Sequence, residues 1–236
     1  MTTDLARLVR RVARLGRREP SMPSEECAYR RVVGKGIGLG GIIDVGAYHG
    51  EWTRLARRVF GPLPVLMVEA QPGKATRLQQ VCAEMPGVGL VSSVLGRRAG
   101  ERVTFYEMET GSSLFPERSN IARQETTLVT RTLDQVARDV PGPLFLKLDV
   151  QGAELEVLAG GEQTLARSAL VQLETALLPY NEGAPELFEV VSFMDRKGLV
   201  PYDIPGLVRP NQTDLAQIDV LFVPRESPLR ARYFAF

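Results

Sequence analysis

The stretch Ile42-Ile-Asp-Val-Gly-Ala-Tyr-His-Gly50 decides the fold of this chain. Its apolar start reads as a short buried strand with Asp44 near the end. Gly46 and Gly50 open a turn, and a helical pattern begins near Glu51. Glycines in such a turn let a ligand approach the backbone at the carboxyl end of a strand, where open α/β sheets bind their ligands. A second apolar run ends in Glu69, an acid placed to accept hydrogen bonds from both hydroxyls of a ribose.

Outward from this unit, apolar runs at 41–45, 65–69, 88–95, 144–149, 169–174, 199–204 and 219–223 alternate with helical patterns at about 50–60, 73–84, 152–168 and 184–197. That alternation predicts an α/β fold with a mostly parallel sheet. Residues 101–131 break the rhythm. Two strand-like runs, 102–108 and 126–131, flank a polar loop, which predicts an inserted β-hairpin. Ahead of the first strand, a short helix is expected over 24–33. Leu5, Leu8, Val9, Val12 and Leu15 give residues 4–18 the period of an amphipathic helix with an arginine face. The chain divides into an N-terminal helical extension, 1–40, and a main domain, 41–236.

The 236 residues carry 29 basic and 28 acidic groups, net +1. This excludes a globally basic nucleic-acid binder and an acidic disordered chain, so no nucleic-acid partner is expected. The balance is uneven, with residues 1–40 at +5 and the remainder at −4. Cys27 and Cys82 are too few for a disulfide framework or a four-cysteine zinc site. No apolar run approaches the ~20 residues of a membrane span, and no apolar core of a secretory signal follows the basic start. No transmembrane segment and a cytoplasmic location are therefore expected.

The run Gly36-Ile-Gly-Leu-Gly-Gly41 matches the dinucleotide fingerprint G-x-G-x-x-G but precedes its strand instead of following it. A nicotinamide oxidoreductase is disfavoured on that ground. The turn after Asp44 is the better ligand site, and Glu51 at the next helix start is a poor neighbour for a pyrophosphate. S-adenosylmethionine carries a sulfonium and an ammonium and no phosphate. It suits Asp44 and Glu51 better.

The most informative later stretch is Leu144-Phe-Leu-Lys-Leu-Asp-Val-Gln-Gly-Ala-Glu-Leu-Glu-Val-Leu-Ala-Gly160 with Gly161 after it. Strand alternation puts Lys147 and Asp149 on one face, and Glu154 falls in the first turn of the following helix. Together with Asp44-Val-Gly-Ala-Tyr-His-Gly50, Val68-Glu-Ala-Gln-Pro72, Gly111-Ser-Ser-Leu114, Thr132-Leu-Asp134 and Ile218-Asp-Val-Leu-Phe-Val223, this run resembles the FkbM family of S-adenosylmethionine-dependent O-methyltransferases over about residues 41–224. Tyr48 stands where that family commonly has asparagine. The resemblance implies a doubly wound, Rossmann-like class I methyltransferase sheet of seven strands, the last antiparallel. It implies cofactor contacts from Asp44, Gly46, Ala47, Tyr48, His49, Gly50, Glu69, Leu95, Gly96, Ser112 and Asp149.

Methyl transfer to oxygen needs an aligned hydroxyl and a group to take its proton. Asp149 is the leading base, with Glu154 and Glu174 as competitors and Lys147 beside them. Asp149 and Glu174 can alternatively hold a divalent cation such as Mg²⁺, or the charges can form a buried network that only orders the site. The sole histidine, His49, reads as a turn residue beside the cofactor. Tyr180 and Asn181 are expected at the rim of the acceptor pocket. The expected acceptor is a small-molecule hydroxyl of a sugar, glycolipid or polyketide-type natural product, with a homodimer as one use of the N-terminal extension. A catalytically silent cofactor-binding protein is the competing class.

Overall fold

The computed structural model describes residues 23–210 and 212–230. The amphipathic pattern of 4–18 and the C-terminal aromatics Tyr233, Phe234 and Phe236 lie outside them. Nine strands and seven α-helices are described. They are α1 (Glu25–Gly34), β1 (Gly41–Val45), α2 (Glu51–Phe60), β2 (Val65–Glu69), α3 (Ala75–Glu84), β3 (Val88–Ser92), β4 (Arg102–Glu107), β5 (Gln124–Val129), α4 (Leu133–Ala137), β6 (Leu144–Leu148), α5 (Glu154–Ala159), α6 (Glu162–Ala166), β7 (Ser168–Ala176), α7 (Leu187–Arg196), β8 (Leu199–Val208) and β9 (Gln217–Pro224).

Seven strands form one sheet in the order β3-β2-β1-β6-β7-β9-β8, and β9 runs antiparallel to both neighbours. This is the mostly parallel sheet that the alternation predicts and the doubly wound, seven-stranded order that the resemblance implies. The order reverses between β1 and β6, which opens a crevice at their carboxyl ends. β4 and β5 pair antiparallel as a separate hairpin, the predicted insertion.

β1 and β6 are buried along their whole length, as central strands covered on both faces must be. Ile43, Val45, Leu144, Leu146 and Leu148 face the layer of α4 to α7, while Ile42 and Phe145 face that of α1 to α3. Tyr29, Trp52 and Phe60 pack on Phe145 with ring centroids 5.3–5.4 Å apart. Ala28, Tyr29 and Val32 of α1 are fully buried in this second layer, so the described part of the N-terminal extension is packed onto the sheet. No helix among the described residues is long and apolar enough to cross a membrane.

Two departures from the periodicity have local causes. The helical pattern at 152–168 divides into α5 and α6 at Gly160-Gly161. A Cβ at Gly160 would lie 2.3 Å from the Gly96 carbonyl oxygen, and one at Gly161 would lie 2.5 Å from Leu133. The chain breaks where three segments meet closely. β8 extends to Val208 despite Pro201 and Pro205, because it is the sheet's edge strand and its register against β9 shifts twice.

Candidate active site

A cavity of about 830 Å³ opens at the carboxyl ends of the strands. Pockets for small ligands run roughly 300–1,000 Å³, so this one has room for a cofactor and a small partner together. On the side of β1, β2 and β3 it is lined by Gly46, Tyr48, Glu69, Gln71, Ser93, Val94 and Leu95, and on the side of β6, β7 and β9 by Asp149, Gln151, Glu174, Tyr180 and Gln217. The hairpin loop, from Thr110 to Leu114, forms one wall.

The turn after β1 holds its shape through backbone constraints. Gly46 and Gly50 have φ of +79° and +82°, and Tyr48 sits at +50° in the left-handed region. The Tyr48 amide donates to Glu69 Oε2 at 2.8 Å and the Gln71 amide to Glu69 Oε1 at 2.9 Å. Each carboxylate oxygen keeps a second acceptor site. Burial pushes the Glu69 carboxyl above its usual range against those hydrogen bonds. The Tyr48 hydroxyl donates to Glu109 Oε1 at 2.6 Å, Lys74 Nζ reaches the same oxygen at 2.7 Å, and Lys74 lies 4.3 Å from the Tyr48 ring centroid. Tyr48 therefore ties the turn after β1 to the hairpin loop.

β6 delivers the charged residues as alternation predicts. Lys147 Nζ lies 3.4 Å from Asp44 Oδ1 and 3.3 Å from Asp149 Oδ2. Burial works against the Lys147 charge, but Asp149, Asp44 and Glu25 outweigh it and raise its pKa. Burial likewise opposes ionisation of Asp149. The Lys147 ammonium, with hydrogen bonds from Glu174 and Gln151, prevails and holds Asp149 below the usual carboxylate range. Glu174 goes the other way. Burial, then the Asp149 and Glu154 charges, push it well above that range. The pKa values of these two neighbouring carboxyls are thus driven apart, Asp149 downward and Glu174 upward.

Gln151 is a site residue that the sequence reading missed. Its Nε2 donates to Asp149 Oδ1 at 3.0 Å and Glu174 Oε2 at 2.5 Å. Its backbone is left-handed at φ +54°, and its carbonyl accepts from Ser113 Oγ at 2.7 Å and Asn181 Nδ2 at 2.6 Å. Gln217, 43 residues beyond Glu174, donates to Glu174 Oε1 and accepts from the Tyr180 hydroxyl at 2.7 Å. Pairing of β9 with β7 makes that contact, and no local pattern announces it.

Of the expected cofactor residues, Gly46, Tyr48, Glu69, Leu95, Ser112 and Asp149 lie on the cavity wall, while Asp44, Ala47, His49, Gly50 and Gly96 do not. Asp44 is fully buried, held by Thr53 Oγ1 at 2.7 Å and by Lys147 behind the wall. Ala47 is buried in the second core layer, and a Cβ at Gly50 would lie 3.0 Å from the Val81 side chain. His49 stacks on Tyr48, ring centroids 3.8 Å apart. Gly96 packs beside Thr130 and Gly160. Of the expected catalytic residues, Asp149 and Glu174 face the cavity. Lys147 and Glu154 sit behind it, 5% and 2% exposed. The Thr132-Leu-Asp134 motif is structural, since the Asp134 carboxylate accepts from Gln163 N, Thr164 N and Thr164 Oγ1. The glycine run 36–41 lies at the opposite sheet edge, where Gly40 N donates to the Pro143 carbonyl at 2.7 Å.

The donor set does not suit a divalent cation at Asp149 and Glu174. The Gln151 carboxamide spans the two carboxylates and the Lys147 ammonium already neutralises Asp149. Among the described residues, no three acidic, histidine or cysteine side chains group as metal ligands. Hard cations of this kind take six or more oxygen ligands.

Glu154 Oε1 accepts the Val150 and Gly152 amides at 3.1 and 3.2 Å, and burial raises its pKa to about 7. Burial likewise raises Asp219 to about 7. A buried acid raised in the folded state keeps a proton that the unfolded chain releases. Between about pH 4.5 and 7, stability therefore falls as pH rises. Glu154→Gln keeps the acceptor oxygen and removes the ionisation. Its melting temperature should equal the parent's within about 1 °C at pH 4.5. It should exceed the parent's at pH 8.5 by about 1–3 kcal/mol equivalent, roughly 3–8 °C. A pH-independent difference would contradict this assignment.

A family model described as "Methyltransferase FkbM domain" matches residues 44–200. No curated protein matches. Among solved structures, the chain is similar to the N-terminal domain of EvdMO1 with SAH bound, at 13% identity and a TM-score of 0.51, over 86% of this chain and 83% of that one. It is also similar to magnesium protoporphyrin IX methyltransferase from Synechocystis PCC 6803, at 13% identity and a TM-score of 0.47, over 84% and 75%. A third is precorrin-6y C5,15-methyltransferase from Geobacter metallireducens GS-15, at 12% identity and a TM-score of 0.46, over 84% and 86%. The likeness to the EvdMO1 domain shows the shared doubly wound fold.

Proposed function

Because the chain belongs to the FkbM-domain methyltransferase family, we propose that it transfers a methyl group from S-adenosylmethionine to a hydroxyl oxygen of a small metabolite, a sugar, glycolipid or polyketide-type natural product. The observation that carries this reading is the pairing in one cavity of a backbone-anchored acid, Glu69, with an ionised acid, Asp149, at the ends of β2 and β6. The cofactor, when bound, supplies an electrophilic methyl group on a sulfonium.

The residues on the wall fit such a cofactor. Glu69 keeps a free acceptor site on each oxygen for the ribose hydroxyls, Val94 and Leu95 offer an apolar surface for the adenine, and the Gly46 turn admits the methionine end. Asp44 acts through Lys147, which together with Gln151 fixes the Asp149 carboxylate. Asp149 orients the acceptor hydroxyl and takes its proton. Burial and the Asp149 charge oppose a second negative charge on Glu174 beside it. Glu154 supports the loop after β6 through the Val150 and Gly152 amides.

Isothermal calorimetry with S-adenosylmethionine tests the class. One site per chain is expected, with the by-product S-adenosylhomocysteine competing for it. Absence of heat at millimolar cofactor would remove the reading.

A further inference from the structure

The loop that joins β4 to β5 is fastened to the sheet at three points. Beside the turn after β1, Glu109 Oε1 accepts from the Tyr48 hydroxyl at 2.6 Å and from Lys74 Nζ at 2.7 Å. After β6, Ser113 Oγ donates to the Gln151 carbonyl at 2.7 Å. After β7, the Arg118 amide donates to the Tyr180 carbonyl at 2.7 Å, and the Glu182 amide donates to the Pro116 carbonyl at 2.9 Å. β1, β6 and β7 are neighbours in the sheet in that order. Residues 109–118 therefore run as a strap across the carboxyl ends of these strands. Thr110, Gly111, Ser112, Ser113, Leu114 and Glu117 of the strap line the cavity.

The three fastenings differ in kind. Ser113 is 1% exposed, and the bonds after β7 are made by backbone. The fastening beside Tyr48 is made by side chains alone, and the Glu109 side chain is 74% exposed. An ion pair with one end in water adds little stability and is screened by salt. The strap is thus weakest at Glu109. Ser112 Oγ accepts from the Met108 amide at 2.7 Å and donates to the Met108 carbonyl at 2.6 Å, which closes 108–112 into one small loop. Release of Glu109 frees the wall segment that follows it. Neither Glu109 nor Lys74 is itself on the wall.

We propose that Glu109 and Lys74 are positioning residues that latch this strap beside Tyr48, and that release of the latch sets how fast the cofactor enters and leaves the cavity. This rests on the methyltransferase reading above and adds to it a control on cofactor exchange. Because the latching pair is off the wall, cutting it changes how often the strap opens and removes no contact to the ligand. Entry and exit then speed up by the same factor, and affinity stays the same.

The test measures association and dissociation rates of S-adenosylhomocysteine on the immobilised full chain by surface plasmon resonance. Glu109→Ala should raise both rates by about fivefold, the weight of one exposed ion pair with its hydrogen bonds. The dissociation constant should stay within twofold and the melting temperature near the parent's. Lys74→Met should act in the same direction, and the double variant should be no faster than Glu109→Ala alone, since one latch is cut once. Glu107→Gln, which removes a neighbouring charge outside the latch, should leave both rates at the parent's values. Hydrogen exchange reads which end lets go: the Met108 amide should exchange faster in Glu109→Ala, and the Arg118 amide should not. No binding by the parent removes the methyltransferase reading and the cofactor role together. Binding with both rates changed less than threefold in Glu109→Ala overturns the latch alone. Faster dissociation at unchanged association, or effects of Glu109→Ala and Lys74→Met that multiply in the double variant, also overturn it. Equal acceleration at Met108 and Arg118 overturns the assignment of the opening end.

Discussion

Asp149→Asn is expected to lower the turnover number by about 10²–10⁴, or about 3–5 kcal/mol of transition-state stabilisation, with S-adenosylmethionine affinity changed less than tenfold. The substitution keeps the shape and one acceptor oxygen of the side chain. It removes the charge that Lys147 holds at 3.3 Å and the capacity to accept a proton. A carboxylate of low pKa is adequate for this task. As the new carbon–oxygen bond forms, the acceptor hydroxyl becomes a far stronger acid than a free alcohol, so its proton leaves late and needs only a nearby anion. Glu174 is poorly suited to the same role, because burial and the Asp149 charge oppose its ionisation.

The same variant separates base from scaffold. If Asp149 only orders the loop after β6, its replacement should lower the melting temperature and raise KM, with kcat following stability. If Asp149 takes the proton, kcat falls while melting and cofactor affinity stay near the parent's. Turnover within threefold of the parent would eliminate Asp149 as the base. The charge left on Lys147 still has Asp44 at 3.4 Å, so the ammonium is not stranded.

Sheet, hairpin and charged strand ends were legible in the sequence because they depend on short-range periodicity. Two residues apart on a strand, Lys147 and Asp149 must share a face, and they do. An acid that ends β2 must reach the carboxyl edge, and Glu69 lies on the cavity wall. What the sequence did not disclose depends on distant partners. Gln151 bridges Asp149 and Glu174 only because β7 lies beside β6, and Gln217 meets Glu174 only because β9 pairs antiparallel with β7. Carboxamides carry no charge and no strong pattern, so neither stood out. Motif membership misled in the other direction. Asp44 and Gly96 sit in or beside recognisable motifs, yet one is sealed against Thr53 and Lys147 and the other packs against Thr130. A motif in such a fold mixes residues that touch the ligand with residues that hold those in place. The Thr132-Leu-Asp134 stretch belongs wholly to the second kind.

Gly46→Ala is expected to do the greatest structural damage of any single methyl group added to this chain. Two effects combine at Gly46. Its φ of +79° is a left-handed conformation that costs an alanine about 1–2 kcal/mol. In addition, a Cβ there would lie 1.8 Å from the Asp149 carbonyl oxygen, which is backbone at the end of β6 and cannot swing aside like a side chain. The neighbouring contact is tied down as well, since the Asp149 amide donates to the Val45 carbonyl at 3.0 Å. Relief requires β1 and β6 to separate at the floor of the cavity, which breaks that bond and displaces both the cofactor turn and Asp149. A loss of about 3–5 kcal/mol in denaturant unfolding is expected, in the range reserved for backbone strain and overpacking in a core. Any folded fraction should bind S-adenosylmethionine at least about 100-fold more weakly. Gly198→Ala isolates the conformational part. Gly198 has a similar φ of +78° in the turn after α7, but nothing lies within 4 Å of the position a Cβ would take. That variant should lose only the 1–2 kcal/mol of the left-handed backbone and keep cofactor affinity. Equal unfolding losses in the two variants would mean that the strand ends give way easily and that the close approach of β1 to β6 does not fix the site.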